Sequence, residues 1–168
     1  MEATQPGGVS FSNATEPKDI FLHLLAIVTL YASAISFLVL LFQYVNLLIP
    51  DLLQGVGYYA LESARGSMRW AIASLIVVFP VYITTMWFLG NAYARNPSKR
   101  SLRIRKWLIY FTLFITALTV IGDLVTLVYT FLQGDLTTQF ILKVLAVLFT
   151  AGSIFVYYFW DLRKYRID

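Results

Sequence analysis

Four apolar stretches of this chain are each long enough to cross the hydrocarbon core of a bilayer, which is about 30 Å thick. They cover residues 20–49, 70–94, 107–132 and 140–160. Backbone amide and carbonyl groups find no water in lipid, so segments of this length must be helices that satisfy their own hydrogen bonds. The sequence therefore predicts an all-α membrane protein, a four-helix up-and-down transmembrane bundle.

The composition leaves little of the chain outside the membrane. Hydrophobic residues make up 59% of the 168 residues and charged residues only 13%, which is far from the usage of a soluble domain. We expect one four-span domain over residues 19–164, with a mobile cytoplasmic tail at residues 1–18 and a short cytoplasmic tail at residues 165–168. This leaves no room for a soluble catalytic domain.

The distribution of Lys and Arg residues predicts the orientation. Residues 95–106 hold six cations and no anion, the terminal segments add four cations, and residues 51–69 hold two. Cytoplasmic loops carry an excess of Lys and Arg, so we expect both termini on the cytoplasmic side of the cell (inner) membrane. The net charge of +4 then reflects topology, and no nucleic acid partner is expected. The same connection offers candidate contacts to lipid headgroups: Arg95, Lys99, Arg100, Arg103, Arg105 and Lys106.

The connections between the spans differ in length. Residues 51–69 contain Gly55, Gly57 and Gly66, which argue against one continuous helix and predict a loop with at most one interfacial turn. Residues 133–135, Gln-Gly-Asp, predict a tight turn instead. Spans three and four are therefore expected to form an antiparallel hairpin.

Polar residues recur along one face of span three and, less regularly, on span four. Residues three and four apart share a helix face, and this spacing links Thr112, Thr116, Thr119, Asp123, Thr126 and Thr130, with Thr150 and Ser153 on span four. Small and hydroxyl residues allow close helix packing in membranes. The same stripe is also expected if it lines a hydrated passage for protons, ions or a polar solute, or a ligand pocket.

Two charged residues lie inside the spans. Counting about 1.5 Å per residue from Gly134 places Asp123 about 16 Å deep and Lys143 about 13 Å deep. Charges at such depth usually face the interior and find a partner, so we expect an intramembrane ion pair. The alternatives are a proton or ion relay and a site for a charged headgroup or ligand.

Motifs that carry chemistry are few. His23 is the only histidine and the chain has no Cys, so a haem or metal site lacks further ligands of suitable type. The sequence contains none of the common nucleophile, phosphate-binding or metalloprotease motifs. We therefore expect no enzyme activity, no metal and no cofactor.

Three segments carry a family resemblance: RWAIASLIVVFP at residues 69–80, RKWLIYFTLFITALTVIGDLVTLVY at 105–129 and LKVLAVLFTAGSIFVYYFWDLRK at 142–164. They resemble a family of small prokaryotic four-span integral membrane proteins catalogued as a domain of unknown function. The resemblance covers residues 19–164. It implies a four-helix membrane domain and no particular activity.

These observations predict a non-enzymatic membrane protein that works by binding or assembly. Its expected partners are membrane lipids and either a second copy of the chain or another membrane protein. One alternative is an oligomeric ion or proton channel that uses Asp123. The other is a binder of a lipid or quinone-type ligand.

Overall fold

The computed structural model describes residues 17–49, 58–95, 103–134 and 136–164. Four helices make up nearly all of these residues: α1 (Pro17–Leu48), α2 (Tyr58–Arg95), α3 (Arg103–Gln133) and α4 (Thr138–Lys164). Each contains a segment long and apolar enough to cross a membrane. The predicted all-α, four-span membrane fold is confirmed. Residues 1–16 of the first predicted tail and all of the second, residues 165–168, lie outside the described residues.

The helices alternate in direction. At one end of the bundle, His23 near the start of α1 bonds Tyr93 near the end of α2, and Arg105 near the start of α3 bonds Asp161 near the end of α4. At the other end, Gln139 near the start of α4 donates to Asn46 near the end of α1 at 2.6 Å. Such contacts require neighbouring helices to be antiparallel, as in an up-and-down bundle.

Helix α1 lies at the centre of the bundle. It packs against the other three helices, and α3 packs on α4, whereas no Cα atom of α2 lies within 8 Å of one in α3 or α4 among the described residues. A cleft therefore separates α2 from the α3–α4 hairpin, with α1 as its floor. The inward face of α1 carries residues at steps of three and four: Asp19, His23, Ala26, Thr29, Ser33 and Ser36.

Large apolar side chains cover the outer surface of the bundle. Ile76, Leu132 and Trp160 are each more than two-thirds exposed and represent a set found on all four helices, mainly on their outer faces. In water such a surface would mark an interaction site. On four apolar helices of spanning length it is the surface that faces the lipid.

Helix α2 begins earlier than predicted. The sequence predicted a loop up to residue 69, but the helix begins at Tyr58 and continues through Gly66. A Cβ placed on Gly66 would meet no other atom within 4 Å, so this glycine lies on an open helix surface. A single glycine there costs only about 1 kcal/mol, which the continuous helical hydrogen bonds outweigh.

A short connection joins α3 to α4, and the predicted hairpin is confirmed. Gly134 adopts a φ of 80°, a conformation that glycine reaches without steric cost, and its amide donates to the carbonyl of Phe131 at 3.1 Å. The hydroxyl of Thr137 accepts a hydrogen bond from the amide of Phe140 at 3.2 Å. Thr137 therefore caps the start of α4.

Candidate functional site

Each of the four helices contributes a polar side chain to one end of the bundle. Residues near the starts of α1 and α3 and near the ends of α2 and α4 meet there because the helices alternate in direction. The residues are His23, Tyr93, Arg105 and Asp161, and we call them the polar cluster. We call this end of the bundle the His23 end.

His23 is buried and bonded through both ring nitrogens. Its Nδ1 lies 2.6 Å from the carbonyl oxygen of Asp19, and a carbonyl only accepts, so Nδ1 carries the hydrogen. In the neutral imidazole Nε2 then accepts a hydrogen bond from the Tyr93 hydroxyl, 2.5 Å away. These two bonds fix the orientation of the imidazole ring and link α1 to α2.

Arg105 connects the remaining helices. Its Nη2 donates to Oδ2 of Asp161 at 2.6 Å, and the two side chains are only 15% and 26% exposed. Its guanidinium carbon also lies 5.2 Å from the centre of the Tyr93 ring, within the range of a cation–π interaction. This single side chain therefore bridges α3, α4 and α2, across the cleft that separates their backbones.

The cleft contains a cavity of about 180 Å³ beside the polar cluster. The cluster residues form one part of its wall, together with Tyr157 and Tyr158, and Gly90 leaves a part of the α2 wall without a side chain. The rest of the wall is apolar: Ala26, Ile27, Met86, Leu89, Leu108 and Ile109. The cavity is therefore amphipathic, with charged and hydroxyl groups facing aliphatic ones.

Tyr158 has the most unusual position in this wall. Its side chain is only 7% exposed, and its ring packs edge-on against that of Tyr157 at 5.2 Å between centroids. It is one of the residues that line the cavity. Because a tyrosine hydroxyl both donates and accepts hydrogen bonds, this position on the cavity wall suits a polar atom from another molecule.

The predicted polar stripe on α3 and α4 is divided between the inside and the outside of the bundle. Thr112, Thr116 and Thr150 are buried and Thr130 is half-buried, whereas Thr119, Thr126 and Ser153 are exposed. At 100° per residue, Thr119 and Thr126 lie about 60° and 80° around the helix from Thr116, at the edge of the inward face. The exposed hydroxyls donate to carbonyls four residues earlier in their own helix, which satisfies them in lipid.

Asp123 and Lys143 do not form an ion pair in the structure, and Oδ2 of Asp123 is buried without a hydrogen-bond partner. The depths predicted from the sequence were counted from Gly134 along both helices, but α4 begins only at Thr138. Measured from the helix ends, Asp123 then lies about 15 Å deep and Lys143 about 7.5 Å deep. This axial offset separates the two side chains.

The predicted headgroup cations have different environments. Arg95 and Lys106 are exposed, as such contacts require. Arg105 instead points into the bundle toward Asp161. Lys99 and Arg100 lie outside the described residues, and for Arg103 the structure describes the backbone only.

Sequence reasoning missed the polar cluster. Residues 70 positions apart, such as His23 and Tyr93, form its bonds, and helical periodicity does not predict which residues meet across helices. One usable signal was Asp161, a carboxylate within three residues of Arg163 and Lys164 at an end rich in cations. The described residues contain no group of three or more His, Cys, Asp or Glu side chains placed to hold a metal ion.

Comparisons with known proteins give one family. Comparison with curated proteins and with solved structures finds no match. A family model described as a domain of unknown function, DUF5671, matches residues 19–158, a range that includes His23, Tyr93, Arg105 and Tyr158 and ends just before Asp161. The match covers most of the chain, which therefore belongs to the DUF5671 family of domains of unknown function.

Proposed function

We propose that this multi-pass membrane protein binds an amphipathic ligand in the cleft at the His23 end. The observation that carries the proposal is the amphipathic cavity of about 180 Å³, in whose wall the polar cluster, Tyr157 and Tyr158 stand beside aliphatic side chains. The polar atoms of an amphipathic ligand can form hydrogen bonds with the polar part of this wall, while its apolar part packs against the aliphatic side chains.

The size of the cavity supports a ligand of which only the head is enclosed. Its volume of about 180 Å³ exceeds the roughly 150 Å³ that hold one benzene ring, yet it is smaller than the roughly 300–1,000 Å³ of sites that enclose drug-sized ligands. The cavity therefore has room for one ring or one compact headgroup. The rest of such a ligand would extend along the apolar wall toward the bilayer.

The protein's role, in this proposal, is binding without catalysis. His23 is hydrogen-bonded to Tyr93, Arg105 is paired with Asp161, and Arg105 also lies over the Tyr93 ring, an arrangement suited to positioning a ligand. The distribution of Lys and Arg supports a location in the cell membrane with the cluster on the cytoplasmic side. Assembly with a second copy or another membrane protein is compatible with this role.

The test compares molecules that co-purify with the protein and two glycine variants. Gly90 lies on the cavity wall and Gly66 lies on the same helix outside it, and both are exposed with no atom within 4 Å of an added Cβ. Leu at position 90 fills the cavity, whereas Leu at position 66 points into open space. Mass spectrometry of solvent extracts is expected to find about one bound molecule per chain in the parent and in Gly66→Leu.

Loss of this molecule in Gly90→Leu alone supports the proposal. The same content in all three proteins, or no bound molecule in any of them, overturns it. Thermal unfolding of both variants serves as the folding control. Both substitutions replace an exposed helical glycine, so neither should lower stability.

A second candidate function concerns Asp123. Asp123 belongs to α3, and its Oδ2 is buried without a hydrogen-bond partner. A carboxylate inside a membrane span is by default a candidate proton or ion site. An oligomer would have to form the pathway. Proton or cation flux into liposomes that Asp123→Asn abolishes would favour this function, and flux equal to that of empty vesicles would exclude it.

A further inference from the structure

We propose that the ligand's head is a neutral quinone ring, which reaches the cavity from the bilayer through the gap between α2 and α3. The inference rests on the proposed function, because it names the chemistry of the ligand in the same cleft. It is carried by the charge balance of the cavity wall, by its hydrogen-bond donors and by the opening beside Gly90.

The charges on the cavity wall balance. Arg105 supplies one cation and Asp161 one anion, and they bind each other at 2.6 Å. An anionic headgroup would have to compete with this carboxylate for the guanidinium and would lie next to it. A cationic headgroup meets the same difficulty with Arg105. A head without charge enters the cavity and leaves the ion pair intact.

Apart from the Asp161 carboxylate, which is bound to Arg105, the polar groups on the wall favour a hydrogen-bond acceptor. Arg105 has only N–H donors and no acceptor atom, and the Tyr158 hydroxyl can donate its hydrogen. A quinone presents two carbonyl oxygens and no donor, which complements such a wall. Its flat ring matches a cavity of about 180 Å³, and the aliphatic side chains opposite the cluster suit its faces.

The opening of the cleft supports access from lipid. Among the described residues, no Cα atom of α2 approaches one of α3 within 8 Å. Gly90 on the α2 side of the cavity is exposed and has no side chain to close the gap. An isoprenoid tail attached to the ring can therefore remain in the hydrocarbon while the ring occupies the cavity.

The test measures binding of a short-chain ubiquinone with one isoprenoid unit to the full chain in phosphatidylcholine nanodiscs. After the quinone retained by empty nanodiscs is subtracted, the amount of bound quinone is expected to saturate near one molecule per chain. Tyr158→Phe removes one neutral hydrogen bond and should weaken binding about 3- to 10-fold. Tyr31→Phe is the control, because the Tyr31 hydroxyl is buried without a partner and Tyr31 does not line the cavity, and it should change nothing.

The outcomes separate this inference from the proposed function. Quinone binding that is lost in Gly90→Leu and weakened by Tyr158→Phe supports both. Saturable binding of phosphatidylglycerol that depends on these two residues, without quinone binding, overturns the quinone and keeps the ligand cleft. Quinone retention that neither substitution changes reflects partition into lipid and overturns the inference. If neither the nanodisc experiment nor the co-purification experiment finds a bound molecule, both the quinone inference and the proposed function are overturned.

Discussion

The bundle shields the side chains of Arg105 and Asp161 from much of the solvent. Removing one partner leaves the other charge poorly compensated. We expect Arg105→Gln and Asp161→Asn each to lower the unfolding temperature in detergent, and the double variant to lose less than the sum of the two. The coupling free energy should be about 1–2 kcal/mol. Strict additivity would show that the pair contributes nothing to stability.

Asp123 and Lys143 provide the contrasting case. The structure forms no ion pair between them, and their depths differ by about 7.5 Å along the helices. The effects of Asp123→Asn and Lys143→Met on thermal stability should therefore add within about 0.5 kcal/mol. Rescue of either single variant by the double variant would contradict the structure and restore the pair predicted from the sequence.

These two pairs show what residue spacing can and cannot predict. The spacing identified Asp123 and Lys143 as polar positions inside the spans, and helix periodicity assigned Thr112 and Thr116 to a common face that is indeed buried. It did not predict which side chains meet. The partners Arg105 and Asp161 are 56 residues apart, so their contact depends on how α3 and α4 pack and not on local sequence.

The helices themselves followed from the sequence with one exception. Hydropathy located all four, and the glycine after α3 marked a boundary that the structure confirms at Gly134. The start of α2 was wrong because glycine was read as a helix breaker. Glycine interrupts a helix only when the backbone needs a conformation that other residues avoid, and that holds for Gly134 but not for Gly66.

Two glycines outside the polar cluster give a matched test of this distinction. Neither Gly134 nor Gly152 has an atom within 4 Å of an added Cβ, but only Gly134 has a positive φ. Gly134→Ala should destabilise the protein by about 1 kcal/mol because alanine is strained there. Gly152→Ala, inside α4, should stabilise it by about 0.5–1 kcal/mol. Thermal unfolding measures both, and equal shifts would contradict the assigned turn.

At the scale of the whole molecule, four apolar spans predict a membrane bundle, but they do not predict which helices pack against each other. Lipid supplies no hydrophobic force that holds helices together, so small residues and polar contacts decide which faces meet. Here the polar inward face of α1 makes this helix the centre. The amide contact between Asn46 and Gln139 holds α1 to α4 at one end, while α2 stands apart from α3 and α4. The cleft is the consequence of that arrangement.

The orientation of the bundle is the remaining prediction for the whole molecule. The chain has no Cys, so single cysteines can be introduced and labelled in intact cells with a membrane-impermeant maleimide. Thr138 is exposed at the start of α4, and Ser101 belongs to the cation-rich connection between α2 and α3. Because Lys and Arg remain on the cytoplasmic side, Thr138→Cys should be labelled in intact cells and Ser101→Cys only after the cells are opened. The reverse pattern would place the polar cluster and its cleft on the outer side of the membrane.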